Sequence, residues 1–182
     1  MKIIETGIDG LLILEPKVFK DDRGYFFESY NHLRMADLGI TNNFVQDNES
    51  FSGYGTLRGL HLQKGDAGQA KLVRVVKGKV LDVAVDLRPE SKTFKQHFTI
   101  ELSEENKLQF LVPRGFAHGF VVLSEEAIFQ YKCDNYYNKE AEVGIMFNDS
   151  ELNIDWKLDH SKALLSSKDR ENLTLLEAIK VL

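Results

Sequence analysis

The stretch LRGLHLQ, residues 57–63, sets an arginine, a histidine and a glutamine among leucines and a glycine. The apolar residues read as a buried strand, where an unpartnered polar side chain costs on the order of 1–3 kcal/mol and a charged one more. These side chains therefore either pair with one another or line a cavity that something fills. His61 and Gln63 lie two residues apart and point into the same space, as do Gln69 and Lys71 one strand later. Arg58, three residues before His61, faces the other side of an ideal strand. The two serve one ligand only if the chain bulges near Gly59; otherwise Arg58 faces a partner subunit.

Outward from this stretch, the middle of the chain is written in short β-rich runs: AKLVRVV (70–76), KVLDVAVDLR (79–88), QHFTIEL (96–102), LQFLVP (108–113), GFVVLS (119–124) and AIFQYKC (127–133). Turn signals such as Lys77-Gly78 separate them, and this spacing predicts an all-β antiparallel sandwich or barrel. Asp82 and Asp86 share a face with Ala84, opposite Val83 and Val85, so one side of that strand is expected to be wetter than the other. Helical signals are confined to the ends: NHLRMADLG (31–39) closes on a glycine stop and RENLTLLEAIKVL (170–182) is amphipathic. With no repeat, low-complexity tract or linker, residues 1–182 read as one domain.

Composition limits the function classes. A formal net charge of -5 opposes general attraction to polyphosphate and argues against nucleic acid, although a small anion needs only a local cationic pocket. The single cysteine, Cys133, forms no intrachain disulfide, which fits a reducing cytoplasm; it reads as a small core residue. The opening MKIIETGIDGLLILEP has short apolar runs broken by Glu5, Asp9 and Glu15, so neither a signal peptide nor a membrane span is expected.

Together with FLVPRGFAHGF (110–120), the 57–63 stretch resembles the two half-motifs of a cupin, a double-sheet jelly roll with its site at the barrel mouth. Gly55 and His61 match the first half-motif; Pro113, Gly115 and His118 match the second. The metal ligands depart from that pattern. Gln63 stands in place of a histidine, and Lys71, with six residues between it and Gly78, in place of a glutamate. Lysine brings positive charge where a cation would sit and glutamine is a poor ligand, so neither metal nor cofactor is expected.

The departure is itself a signature. The blocks FKDDRGYFFESY, VQDNESFS, GTLRGLHLQ, QAKLVRVVKGKVLDVAVDLRPES, VPRGFAHGF, YKCDNYY with EVGI, and LSSKD resemble the dTDP-4-dehydrorhamnose 3,5-epimerase family over nearly the whole chain. Epimerising a carbon beside a ketone needs a base on one face, a cation or donor at the carbonyl oxygen and an acid on the opposite face. The resemblance implies His61 as base, oriented by Asp169, with Lys71 at the ketone oxygen and Tyr131 as acid. It assigns substrate contacts to Arg23, Glu28, Gln46, Asn48, Arg58, His118, Glu142 and Lys168. Phe19, Phe26 and Tyr137 are available to stack on the base, although aromatics in strands more often serve as core. The family also implies a homodimer with exchanged amino-terminal strands, for which GLLILEP (10–16) is apolar enough.

Blander readings stand beside these. His118 serves equally as a structural tie, Lys71 as a solvent-facing lysine at a sheet edge, and KDDRG as a solvated turn. A single-centre epimerase or ketoisomerase on the same barrel, and a non-catalytic ligand sensor, are the competing functions. A sensor has no use for both a base and an acid, and Gln63 with Lys71 disfavours a metal-dependent oxygenase.

Overall fold

The computed structural model describes residues 1–182. In chain order the strands are β1 (Lys2–Glu5), β2 (Leu12–Glu15), β3 (Phe19–Asp21), β4 (Gly24–Phe26), β5 (Gln46–Gly53), β6 (Leu57–Gln63), β7 (Lys71–Lys77), β8 (Lys79–Asp86), β9 (His97–Ser103), β10 (Gln109–Val112), β11 (Phe116–Val122), β12 (Glu126–Cys133) and β13 (Glu142–Gly144). The short helices are α1 (His32–Asp37), α2 (Ser167–Arg170) and α3 (Leu175–Val181). A larger sheet runs β1-β2-β10-β7-β12-β5, a smaller one β13-β6-β11-β8-β9, and β3-β4 form a separate hairpin. All pairings between these strands are antiparallel, as the jelly-roll expectation requires.

The inner faces of the two sheets meet over Val73, Val75, Val80, Ala84, Leu102, Phe110, Phe116, Phe120, Val122 and Phe129. Alternation then sends Leu81, Val83 and Val85 to the outside of the smaller sheet, where a second core forms under Phe147, Ile154, Trp156, Leu175 and Ala178 of the carboxy-terminal segment. Each of these large side chains contributes roughly 1.5–3 kcal/mol by leaving water. The indole of Trp156 is fully buried and donates to the Phe147 carbonyl at 2.7 Å, which ties the segment down. A smaller cluster on the outside of the larger sheet joins Leu14, Leu72 and Leu111 to Met35 of α1.

This layering corrects the expectation of a wet side on β8. Asp82 and Asp86 are both 0% exposed, so β8 meets solvent on neither face. Asp86 closes its own loop instead, accepting from Arg88, Ser91 and Thr93. The turn from β7 to β8 needs Gly78: its φ is +75° and a Cβ there would lie 2.0 Å from the Glu126 carbonyl oxygen.

The amphipathic 170–182 segment is broken into α2 and α3, because Thr174 starts a new helix through a capping box with Glu177. GLLILEP forms β2, which pairs with β1 and β10 of its own chain. No helix is long and apolar enough to cross a membrane.

Candidate active site

The cavity opens between the sheets in two joined lobes of about 360 and 330 Å³ that share Asn48, His61, Lys71 and Tyr131. Their combined size suits an elongated small molecule. β6 delivers His61 from the smaller sheet. β5, β7 and β12 of the larger sheet deliver Gln46 and Asn48, Lys71, and Tyr131 on alternating inward positions. Phe120 and Phe129 stack at 4.1 Å between ring centroids among the residues lining the first lobe.

Arg58 and His61 line the same lobe, so the bulge reading of 57–63 is the one realised. The pairing of β6 with β11 slips between His118 and Phe120, and Gly59 takes φ +130° against Gly119, where a Cβ would approach to 2.6 Å. The guanidinium of Arg58 is aimed by Ser52, whose Oγ accepts from Nε and Nη2 at 3.2 and 3.1 Å.

His61 and Asp169 form a dyad with Nε2 and Oδ1 2.6 Å apart, the side chains 25% and 5% exposed. Asp169 is held by Ser166, which caps α2 and donates to Oδ2 at 2.7 Å. Burial would raise the Asp169 carboxyl, but the hydrogen bonds from His61 and Ser166 outweigh it and hold the group below its ordinary value. An ionised Asp169 accepts the Nε2 proton and leaves Nδ1 of His61, which no protein group occupies, as the basic nitrogen.

Lys71 lies on an interior strand between β10 and β12, half-buried, so the sheet-edge reading fails. Burial lowers its pKa while Cys133, Glu142 and Asp82 oppose the fall. Its Nζ stands 6.0 Å from the ring centroid of Tyr131. Burial raises the Tyr131 phenol above its ordinary value and so keeps it a proton donor. Cys133, cross-strand partner of Lys71, lines the second lobe and receives Asn48 Nδ2 at 3.7 Å, so it is a wall of the cavity as well as core.

At the far lobe, Glu142 accepts from Tyr137 Oη at 2.7 Å and from Lys168 Nζ. Burial opposes these bonds, yet they keep its carboxyl below its ordinary value. Gln63 also lines this lobe, and its Oε1 accepts from the Asn138 amide at 3.0 Å, anchoring the loop that carries Tyr137. His118 lines the first lobe and is tied to Asp82, so its structural and site-lining roles coexist. Ser166, Ser52 and Asp82 carry no motif of their own. The Ser166-x-x-Asp169 spacing of a helix cap and the alternation of Gln46, Asn48, Ser50 and Ser52 along β5 are the signals that point to the two serines.

Phe19, Arg23, Phe26 and Glu28 are not brought to this cavity. They lie on or beside the β3-β4 hairpin, whose Phe27 ring meets Arg74 on the outer face of the larger sheet, and they line separate depressions. KDDRG is a solvated turn there, with Arg23 bonded to Asp21 and its side chain 90% exposed.

The family model for dTDP-4-dehydrorhamnose 3,5-epimerase matches residues 5–177. The chain belongs to that family. The dTDP-4-dehydrorhamnose 3,5-epimerase of Escherichia coli K12 is 50% identical over 182 residues, 100% of this chain and 98% of the relative. The crystal structure of the Elizabethkingia anophelis family member superposes with a TM-score of 0.93 at 57% identity, covering 97% of each chain. That of the Legionella pneumophila enzyme in complex with dTDP-4-keto-L-rhamnose gives 0.92 at 51% identity, covering 96% of this chain and 93% of the other. The two-sheet barrel is thus the cupin jelly roll of the 3,5-epimerases.

Proposed function

We propose that His61, Asp169, Lys71 and Tyr131 carry the family's reaction in this chain, the epimerisation of dTDP-4-dehydro-6-deoxy-D-glucose at C3 and C5 to dTDP-4-dehydro-L-rhamnose. The protein is an isomerase. The observation that carries the residue assignment is the 2.6 Å His61–Asp169 dyad facing, across one cavity, the lysine and tyrosine of the opposite sheet. His61 Nδ1 takes the proton from the carbon beside the ketone, and the ionised Asp169 stabilises the resulting imidazolium. The Lys71 ammonium stabilises charge developing on the ketone oxygen. Tyr131 Oη gives a proton to the opposite face of the same carbon, and exchange with solvent restores both groups before the second centre reacts. Lys71 and Gln63 occupy the positions of metal ligands, and Gln63 spends its carbonyl oxygen on the Asn138 amide, which supports a metal- and cofactor-independent reaction.

Arg58, His118, Gln46, Asn48, Glu142, Lys168 and Tyr137 all line the cavity and suit a nucleoside diphosphate sugar. Phe19, Arg23, Phe26 and Glu28 serve it only from a second copy of the chain. The exposure of Phe19, Tyr25, Phe26 and Phe51, at 53%, 56%, 70% and 63%, supports a homodimer in which this amino-terminal segment crosses to the partner. The shared interior of the two sheets supports one domain over 1–182, and the single cysteine a cytoplasmic location.

The test is incubation with the dTDP-4-keto-6-deoxy sugar in deuterated water, following exchange at C3 and C5 by NMR. His61→Asn should lower exchange at both carbons by at least ~10²-fold while nucleotide-sugar affinity is kept. Exchange near the original rate in that variant would assign the base elsewhere.

A further inference from the structure

A second histidine–carboxylate dyad stands beside the first. His118 on β11 is the cross-strand partner of His61 on β6, and its Nε2 meets Oδ1 of Asp82 at 2.8 Å. The two dyads differ in their surroundings. Asp169 shares both oxygens with His61 and Ser166, whereas Asp82 is wholly buried and its Oδ2 has neither solvent nor a hydrogen-bond partner. A buried carboxylate oxygen left unpaired is unusual and calls for a partner that arrives later.

The cavity holds one cation suited to that place. Lys71 Nζ makes no hydrogen bond to the protein and lines the same lobe as His118, with Asp82 behind the His118 ring; burial raises the Asp82 carboxyl, and His118 and Lys71 counter that rise. The other groups that face Lys71 are less able to serve it. Glu142 on β13 is already engaged by Lys168 and Tyr137, and burial keeps the Cys133 thiol of β12 protonated. Tyr131 on β12 is likewise held in its neutral form by burial. His61 on β6 and His118 on β11 each have a carboxylate of their own.

We propose that Asp82 is a positioning residue for the enolate-stabilising side of the site. Its Oδ1 holds the His118 ring with Nδ1 toward the sugar, and its free Oδ2 anchors the Lys71 ammonium once bound sugar has displaced water from the cavity. Removing water strengthens the attraction between the two charges, so the anchor acts when the ketone is in place. The inference rests on the epimerase reading given above.

Asp82→Asn keeps the shape of the side chain and removes the charge. Lysine loses its charge above its pKa, so it sets an alkaline limb on kcat; withdrawing a neighbouring anion lowers that pKa and moves the limb to lower pH. The expected displacement is about one unit, a tenfold change in the lysine's protonation equilibrium, with KM for the nucleotide sugar nearly unchanged. A folded variant whose limb stays in place, its activity lowered equally at every pH, overturns the proposal. A second measurement uses the unaltered protein: nitrogen-15 NMR of histidine-labelled enzyme should show neutral His118 protonated at Nε2. A lone pair at Nε2 would make Asp82 the donor and overturn the proposal even if Asp82→Asn does not fold. Deuterium exchange by the unaltered enzyme separates the two layers: without exchange the epimerase reading itself fails, and with exchange but an unmoved limb only the role of Asp82 does.

Discussion

His61 enters the cavity from β6 of the smaller sheet and Tyr131 from β12 of the larger one, so the two reach a bound sugar from opposite walls. Inversion needs that separation, because a proton removed and returned from one side restores the starting centre. Tyr131→Phe keeps the ring packed beside Phe129 and removes only the donor. His61 and Lys71 remain to form the enolate, which His61 then reprotonates on the original face. Deuterium should enter C3 or C5 faster than inverted product appears, whereas the unaltered enzyme runs the two together. Equal losses of exchange and inversion would assign Tyr131 to binding or enolate formation.

Removal of metal should leave the enzyme intact. Lys71 and Gln63 stand where a cupin's ligands would be, and Gln63 spends its carbonyl oxygen on the Asn138 amide. Treatment with a strong chelator should therefore leave rate and melting temperature unchanged. Activity lost on chelation and restored by a divalent ion would refute the metal-free scheme.

Ser166 both caps α2 and holds the second oxygen of Asp169. Ser166→Ala should cost about 1 kcal/mol of stability through the lost cap. The orientation of Asp169 relaxes with it, and loss of one hydrogen bond of roughly 1 kcal/mol converts to a fall in kcat of about fivefold. KM should hardly move, since Ser166 acts through the dyad. A change confined to KM would place Ser166 in binding instead.

Asp86 is the strongest test of pH-dependent stability. Burial works against its charged form, but Arg88, Ser91 and Thr93 together hold its carboxyl far below the ordinary carboxylate range. A depressed folded pKa contributes stability that is fully present above the unfolded value of about 3.9 and is lost as pH falls toward the folded value. Asp86→Asn should cost on the order of 1–3 kcal/mol at pH 7. The gap between the two proteins should stay constant down to about pH 5 and narrow below about pH 4. A gap independent of pH across that range would mean the charge of Asp86 contributes nothing to the loop.

Much of this was legible in the chain itself. Period-two alternation and turn residues give the β7 to β12 strands, since a pleated strand must place successive side chains on opposite faces. Spacing alone put His61 with Gln63 and Gln69 with Lys71, and the structure keeps both pairs facing the cavity. The α1 helix ends at Gly39, φ +82°, as a glycine stop requires. Which face of a strand is dry is a different matter, because alternation reports two faces without saying what covers them. Asp82 and Asp86 look like the wet side of β8 until the barrel interior closes over Asp82 and the loop of Arg88, Ser91 and Thr93 over Asp86. Arg58 reaches the cavity of His61 only through the Gly59 bulge, a slip in pairing that depends on a strand far along the sequence. The dyads His61–Asp169 and His118–Asp82 span 108 and 36 residues. Contacts at such separations are decided by the closing of the barrel, because only the packing of distant elements fixes where their side chains meet.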